Sequence, residues 1–154
     1  MAERTIRDEI TIAAPPEHVF RALTEADALE HWMASAVESD ARTGGRFRYA
    51  FEFDDTSQNN VQQGEYLAVE DGRRVALPWF FPFSDKRTTV EYALSPRGDE
   101  TSVEFSHAGF DEGEPWDGAY ERFTGGWRLF LESLKSYVET GASSLPLGIK
   151  SRAA

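Results

Sequence analysis

The alternation of apolar and polar positions predicts a series of β-strands in the first two thirds of the chain. Residues 4–13 place Ile6, Ile10 and Ile12 on one parity and mostly polar residues on the other. Residues 46–53 repeat this pattern, with Phe and Tyr on one face. Because side chains alternate across a strand, both segments are typical of a sheet with one buried and one solvated face. Further strands are predicted at residues 61–70, 73–81, 88–95 and 101–107.

Two short helices are predicted between the first two of these strands. Pro15 and Pro16 suit a helix N-terminus, since proline supplies the right φ and the donor that it lacks is not needed there. Thr24, followed by Asp27, has the spacing of a capping box and predicts the start of a second helix that carries Trp32 inward. These two helices form the connection to the rest of the sheet.

A long amphipathic helix is predicted at residues 116–140, with Gly141 as its C-terminal stop. At a rise of about 1.5 Å per residue it would be roughly 37 Å long. Apolar residues recur at steps of three and four: Tyr120, Phe123, Trp127, Phe130, Leu134 and Tyr137. Gly125 and Gly126 each weaken a helix, so the backbone must approach the sheet closely there, or room is left for a ligand. We favour close packing.

Strands that follow one another without intervening helices indicate an antiparallel meander. The long helix needs a concave apolar surface, and the aromatic face of the sheet is the one available. We therefore predict an α+β helix-grip fold: a curved antiparallel sheet of six to seven strands wrapped around the C-terminal helix, with two short helices after strand 1. Residues 1–141 form one domain, and residues 142–154 a flexible tail whose only possible anchors are Leu145, Leu147 and Ile149. Pro78 predicts a sheet edge or bulge within residues 73–81.

Composition narrows the class of protein. The 154 residues include 11 Phe, 5 Tyr and 4 Trp, enough apolar surface for one substantial core. Cysteine is absent, which excludes disulfides, thiol catalysis and cysteine-bound zinc. No run approaches the roughly 20 apolar residues of a membrane span, and the N-terminus does not resemble a signal peptide, so we expect a cytoplasmic protein.

The net charge of −11 bears on possible partners. Such a charge repels phosphate backbones, so nucleic acid is not an expected partner. An acidic surface keeps a protein soluble, and it is also suited to docking on a basic partner. Charge alone leaves both interpretations open, and a monomer and a homodimer are equally compatible with it.

Several short motifs are spread over residues 5–141 in a fixed order. They are residues 15–24 followed by Trp32, then Gly44-Gly45-Arg46-Phe47, Gly64-Glu65-Tyr66, residues 101–107 and Gly126-Trp127. The ordered set resembles the activator-of-heat-shock-protein-90-ATPase-homologue-like family, in the START-like superfamily of lipid-transfer and birch-pollen-allergen-like helix-grip domains. The resemblance implies the fold more strongly than the function, because carriers, sensors, chaperone partners and enzymes share this scaffold.

The resemblance also implies an elongated apolar pocket between sheet and helix. We predict these ligand-binding residues: Trp32, Phe47, Tyr49, Phe51, Trp79, Phe81, Phe105, His107, Tyr120, Phe123, Trp127 and Phe130. Packing in an ordinary core is the alternative for each of them. His107, Tyr49 or Tyr120 would orient a polar end of the ligand.

Candidate chemistry is sparse. His107 points inward in the predicted sheet and is a candidate acid or base. In an enzyme, a pocket carboxylate such as Glu65 would act with it as a second proton carrier. The three histidines lie too far apart in sequence for a recognisable zinc site, and we expect no metal and no cofactor. We favour non-enzymatic binding of a hydrophobic or aromatic small molecule, in a stress-response context. A co-chaperone-like activator or regulator partner, and a cyclase- or hydrolase-like enzyme, remain as alternatives.

Overall fold

The computed structural model describes residues 3–142, 144–145 and 148–151. Its elements follow in the order β1 (Arg4–Ile12), α1 (Pro16–Thr24), α2 (Ala26–Trp32), β2 (Ala36–Ser39), β3 (Arg46–Phe51), a 3-10 turn (Thr56–Gln58), β4 (Asn60–Glu65), β5 (Ala68–Glu70), β6 (Arg74–Trp79), β7 (Thr88–Arg97), β8 (Glu100–Phe110) and α3 (Trp116–Thr140). The α+β helix-grip prediction is confirmed, including the two short helices and the long C-terminal helix.

The strands form two antiparallel sheets, a five-stranded one in the order β1-β8-β7-β6-β5 and a three-stranded one in the order β2-β3-β4. The sequence did not predict β2, and the segment predicted as one strand at residues 61–70 divides into β4 and β5. The division falls at Tyr66 and Leu67. Tyr66 N donates to Gly45 O, whereas Leu67 N donates to Ala76 O, so the chain passes there from one sheet to the other.

A gap between β4 and β6 is closed by a side chain instead of a strand pair. Pro78 pairs with Thr89 of β7, and β5 ends its pairing with β6 at Ala76, so Pro78 lies at a sheet edge as predicted. Gln62 is fully buried; its Nε2 donates to Phe80 O at 2.8 Å, and Phe80 N donates to its Oε1 at 2.9 Å. The carboxamide of Gln62 thus takes the place of a peptide group between the two sheets.

The predicted capping box at Thr24 is wrong. Helix α1 continues through Thr24, whose hydroxyl donates to Phe20 O at 2.8 Å, one turn earlier in the same helix. Helix α2 begins after Glu25 without a side-chain cap. A threonine in the last turn of a helix can reach the carbonyl four residues before it, and this bond replaces the cap.

Helix α3 begins and ends at the predicted residues, and Gly141 terminates it in the left-handed conformation with φ 79°. One flank of the helix covers the free edge of β1. Arg128 donates to Glu9 O and Lys135 to Thr11 O, while Ala13 N donates to Glu139 Oε2. These bonds satisfy backbone groups that an uncovered edge strand would leave available for pairing.

Gly125 and Gly126 do not pack closely against the sheet, so that expectation is wrong. A β-carbon placed on either glycine would meet no side chain and no distant backbone within 4 Å. The glycines therefore leave space beside α3.

Replacing Gly125 or Gly126 by alanine is expected to raise the free energy of unfolding by about 1 kcal/mol each, because alanine favours the helix and meets no obstacle. Urea denaturation of the two single variants measures this. A loss of stability in either variant would show that the helix needs a glycine there for a contact absent from this structure.

Candidate functional site

Aromatic rings fill the core between α3 and the five-stranded sheet. Centroids of neighbouring rings lie 4.6 Å apart for His107 and Phe110, 4.7 Å for Phe105 and Trp127, and 4.9 Å for Phe81 and Phe123. A void of about 10 Å³ lies beside this cluster, between the two short helices and the sheets. It is lined by Leu23, Leu29, Met33, Tyr49, Val75, Leu77, Trp79 and Tyr92. A void of this size has room for about one water molecule. The interior is therefore too full for a ligand in this conformation.

His107 is fully buried in this ring cluster, and both of its nitrogens are hydrogen-bonded. Trp127 Nε1 donates to His107 Nδ1 at 2.9 Å, and His107 Nε2 lies 2.7 Å from Thr88 Oγ1. The hydroxyl group of Thr88 donates a hydrogen bond to Trp79 O at 2.9 Å. Nε2 must then be the donor to Thr88, which defines the neutral Nε2–H tautomer.

Burial in this apolar surrounding lowers the pKa of His107 from the ordinary 6.5 to about 3. At neutral pH the ring is uncharged, and each nitrogen already holds a partner within the core. Glu65, the second predicted proton carrier, is exposed on β4 beside Arg46 and Gln63. The structure does not bring Glu65 to His107, so the acid–base pair of the enzyme hypothesis does not form.

Tyr49 belongs to a directional chain of hydroxyl groups. Ser39 Oγ donates its proton to Thr24 O, so Tyr66 donates to Ser39 at 2.7 Å and Tyr49 in turn donates to Tyr66 at 2.8 Å. Burial is the main cause that raises the pKa of both phenols. The Tyr49 hydroxyl therefore donates its proton to another group of the protein and does not offer it to a ligand. Tyr66, which completes this chain, was not among the predicted site residues.

A predominantly apolar depression lies where α3 passes the junction of the two sheets, and we call it the opening. Its volume is about 280 Å³, and it is lined by Phe51, Phe53, Gln58, Asn60, Trp79, Phe123, Phe130 and Ile149. The Phe51 ring lies 6.0 Å from that of Trp79 and 6.2 Å from that of Phe130. Asn60 and Trp79 are close in sequence to Gln62 and Phe80, so the opening adjoins the Gln62 bridge.

One wall of the opening comes from residues near the C-terminus. Ile149 pairs with Phe53 in an isolated antiparallel bridge, flanked by bonds from Lys150 N to Glu52 O and from Asp54 N to Gly148 O. The Ile149 side chain packs against the core. Of the other anchors expected in the tail, Leu145 is half-buried, and Leu147 lies outside the described residues. The flexibility of residues 142–154 stays a prediction.

The structure brings four of the predicted ligand residues together in the opening: Phe51, Trp79, Phe123 and Phe130. The others lie elsewhere, in the core or at its margin: Trp32, Phe47, Tyr49, Phe81, Phe105, His107, Tyr120 and Trp127. Phe53, Gln58, Asn60 and Ile149 also line the opening and were not predicted as site residues. Phe53 continues the aromatic parity of β3, which is a usable signal, whereas Gln58 and Asn60 lie in a polar segment without one.

Trp79 occupies a distinct position, because it lines both the small void and the opening. Its side chain is 4% exposed, and its buried Nε1 has no hydrogen-bond partner among the residues described. An unpaired buried donor costs about 1–3 kcal/mol. Trp79 therefore combines a buried N–H group that lacks a partner with a position in the lining of the opening.

Over residues 3–142, 144–145 and 148–151, His, Asp and Glu side chains nowhere gather in threes around a possible metal site. No helix in the same ranges has the length and apolar character needed to cross a membrane.

Several solved protein structures share this architecture. The solved structure of a Mesorhizobium loti protein is 29% identical, with a TM-score of 0.74 over 86% of this chain and 95% of its own. A Chromobacterium violaceum protein is 27% identical, with a TM-score of 0.73 over 88% and 97%. The Aha1 dimer from Colwellia psychrerythraea, 24% identical, shares the fold, with a TM-score of 0.74 over 90% and 98%.

A search of curated proteins finds no match. The family model described as Activator of Hsp90 ATPase homolog 1-like protein matches residues 13–139, which is most of the chain. The protein therefore belongs to the family of Activator of Hsp90 ATPase homolog 1-like proteins.

Proposed function

We propose that this protein binds a small hydrophobic or aromatic molecule in the opening, without catalysing a reaction. The observation that carries the proposal is a space of about 280 Å³ in which aromatic rings and Ile149 form most of the lining. Ligand pockets begin at about 300 Å³ and are mostly apolar with a few polar groups. The opening has this apolar character, and its volume of about 280 Å³ lies just below that range. The hydrogen-bonded, uncharged state of His107 favours binding over acid–base catalysis.

The expected affinity is modest. A three-ring ligand that loses about 250 Å² of apolar surface would gain about 6 kcal/mol. Because association also costs translational and rotational freedom, this gain is an upper limit, and the dissociation constant should be roughly 40 µM or weaker. N-phenyl-1-naphthylamine, a neutral dye that fluoresces more strongly in apolar surroundings, is a suitable probe.

Replacing Phe130 by alanine is expected to weaken binding of this dye about tenfold, because the substitution removes a ring from the wall of the opening. Leu129, the neighbouring residue on α3, is 48% exposed and provides a matched control. Leu129→Ala should leave the affinity unchanged. Fluorescence titration measures both variants, and circular dichroism checks that each remains folded. Equal binding by Phe130→Ala and the wild type, or no binding by the wild type, would contradict the proposal.

A chaperone partnership is the second candidate function. The family description names an ATPase activator, and the net charge of −11 suits a basic partner surface. Binding to a purified heat-shock protein 90 homologue that weakens as salt increases would support it. Salt-independent binding, or none, would count against it.

A further inference from the structure

We propose that the ligand of the opening is electrically neutral and carries a carbonyl, amide or hydroxyl group near the rim. This inference rests on the proposed function and specifies the class of ligand. Among the described residues, the lining includes no Asp, Glu, Lys or Arg, and its polar members are Gln58 and Asn60. A carboxamide has both donor and acceptor atoms, so it pairs with neutral polar groups without demanding a charge.

Three of the cations near the opening lie close to groups outside its lining. Lys150 follows Ile149 in sequence, but its Nζ lies 3.9 Å from Asp54. On α3, Arg128 is held at 3.1 Å from Asp8, and Lys135 contacts Thr11 O on the β1 flank. Since none of the described lining residues is a Lys or Arg, an anionic ligand would meet no counter-charge within the lining itself.

The lack of charged side chains in the lining disfavours anionic ligands, because their loss of solvation is not compensated. A carboxylate that leaves water for an apolar site loses its hydration, and the loss is large unless a cation or several donors replace it. The net charge of −11 adds a longer-range repulsion that salt screens in part. A neutral molecule of the same shape avoids both penalties.

Trp79, one of the lining residues, carries a further polar group, which is also uncharged. The indole N–H of Trp79 lacks an acceptor within the described part of the chain. An oxygen atom of a bound molecule that reached the indole edge would satisfy this donor. A ketone, amide or hydroxyl oxygen is sufficient for that bond, and a full negative charge is not needed.

The test compares 2-naphthamide with 2-naphthoate at pH 7.5 as competitors of N-phenyl-1-naphthylamine. The two competitors share their ring system and nearly their shape, and they differ in charge. For the wild-type protein, 2-naphthamide is expected to bind at least tenfold more tightly than 2-naphthoate. Asn60→Lys places a cation at the rim and is expected to reduce this ratio to threefold or less.

Gln63→Lys is the matched control, because Gln63 is exposed on the same strand and lies outside the opening. It adds the same charge and should leave the ratio at its wild-type value. If the wild type binds 2-naphthoate as tightly as 2-naphthamide, or more tightly, the inference is overturned. Binding of the dye in the same experiment would still support the proposed function. The inference is also overturned if Asn60→Lys has no more effect than Gln63→Lys. Absence of dye binding would instead refute the proposed function itself.

Discussion

Acidification from pH 7 to pH 4 is expected to lower the free energy of unfolding by about 3 kcal/mol through His107 alone. The folded protein holds this ring neutral, with a pKa of about 3 instead of 6.5, because burial disfavours the charged form. Between these two values the unfolded chain binds a proton that the folded chain does not. Stability must therefore fall as the pH falls through this window, by about 1.4 kcal/mol per pH unit at its steepest.

His107→Gln provides the test, since glutamine retains a donor and an acceptor but does not titrate. Urea denaturation at several pH values between 7 and 4 should give a steep slope for the wild type and a nearly flat one for the variant. Asp55 and Glu139, whose pKa values are lowered by hydrogen bonds, lose their contribution at lower pH. Parallel slopes for both proteins would show that His107 is not held neutral as described.

Replacing Gln62 by leucine is expected to lower the free energy of unfolding by about 2 to 4 kcal/mol. Leucine fills a similar volume, but it leaves both the N–H and the C=O of Phe80 without the partners that the carboxamide supplies. Since these two bonds join β4 to the residue that follows β6, their loss also separates the sheets next to the opening. We therefore expect weaker dye binding in the same variant.

Gln63→Leu is the control for this experiment, because it makes the same chemical change one residue further along β4 at an exposed position. Its effect should stay within about 0.5 kcal/mol, as for most surface substitutions. Gln62→Glu adds a finer comparison, since a carboxylate can accept from Phe80 N but cannot donate to Phe80 O. Similar stability of the Gln62→Leu and Gln63→Leu variants would contradict the bridging role.

Periodicity predicted the parts of the fold that carry long apolar patterns. Both ends of α3 followed from its three- and four-residue spacing and from Gly141, and the strands with clear alternation were located within a few residues. Ala36–Ser39 was missed because four residues are too short to establish a period. The break at Tyr66 and Leu67 depends on which strands β4 and β5 pair with. The local sequence does not indicate these pairings.

The candidate site was less accessible to such reasoning. An excess of rings was evident, but whether rings touch or leave a void depends on distances of about 1 Å. Phe105, His107 and Trp127 pack tightly, whereas Phe51 and Phe130, from the same predicted set, border the opening. Ile149 comes from a segment expected to be flexible, and its position follows from a β-bridge that no sequence pattern announces.

The bridge between Phe53 and Ile149 ties occupancy of the opening to the docking of the chain near its C-terminus. If a bound molecule gains contacts with Ile149, then attachment of that segment raises affinity, and the molecule in turn favours attachment, by the same factor. Whatever detaches Gly148–Ser151, such as a fused sequence or a competing partner, would then also promote release. Cargo retention would in this way be under the control of a stretch of only a few residues.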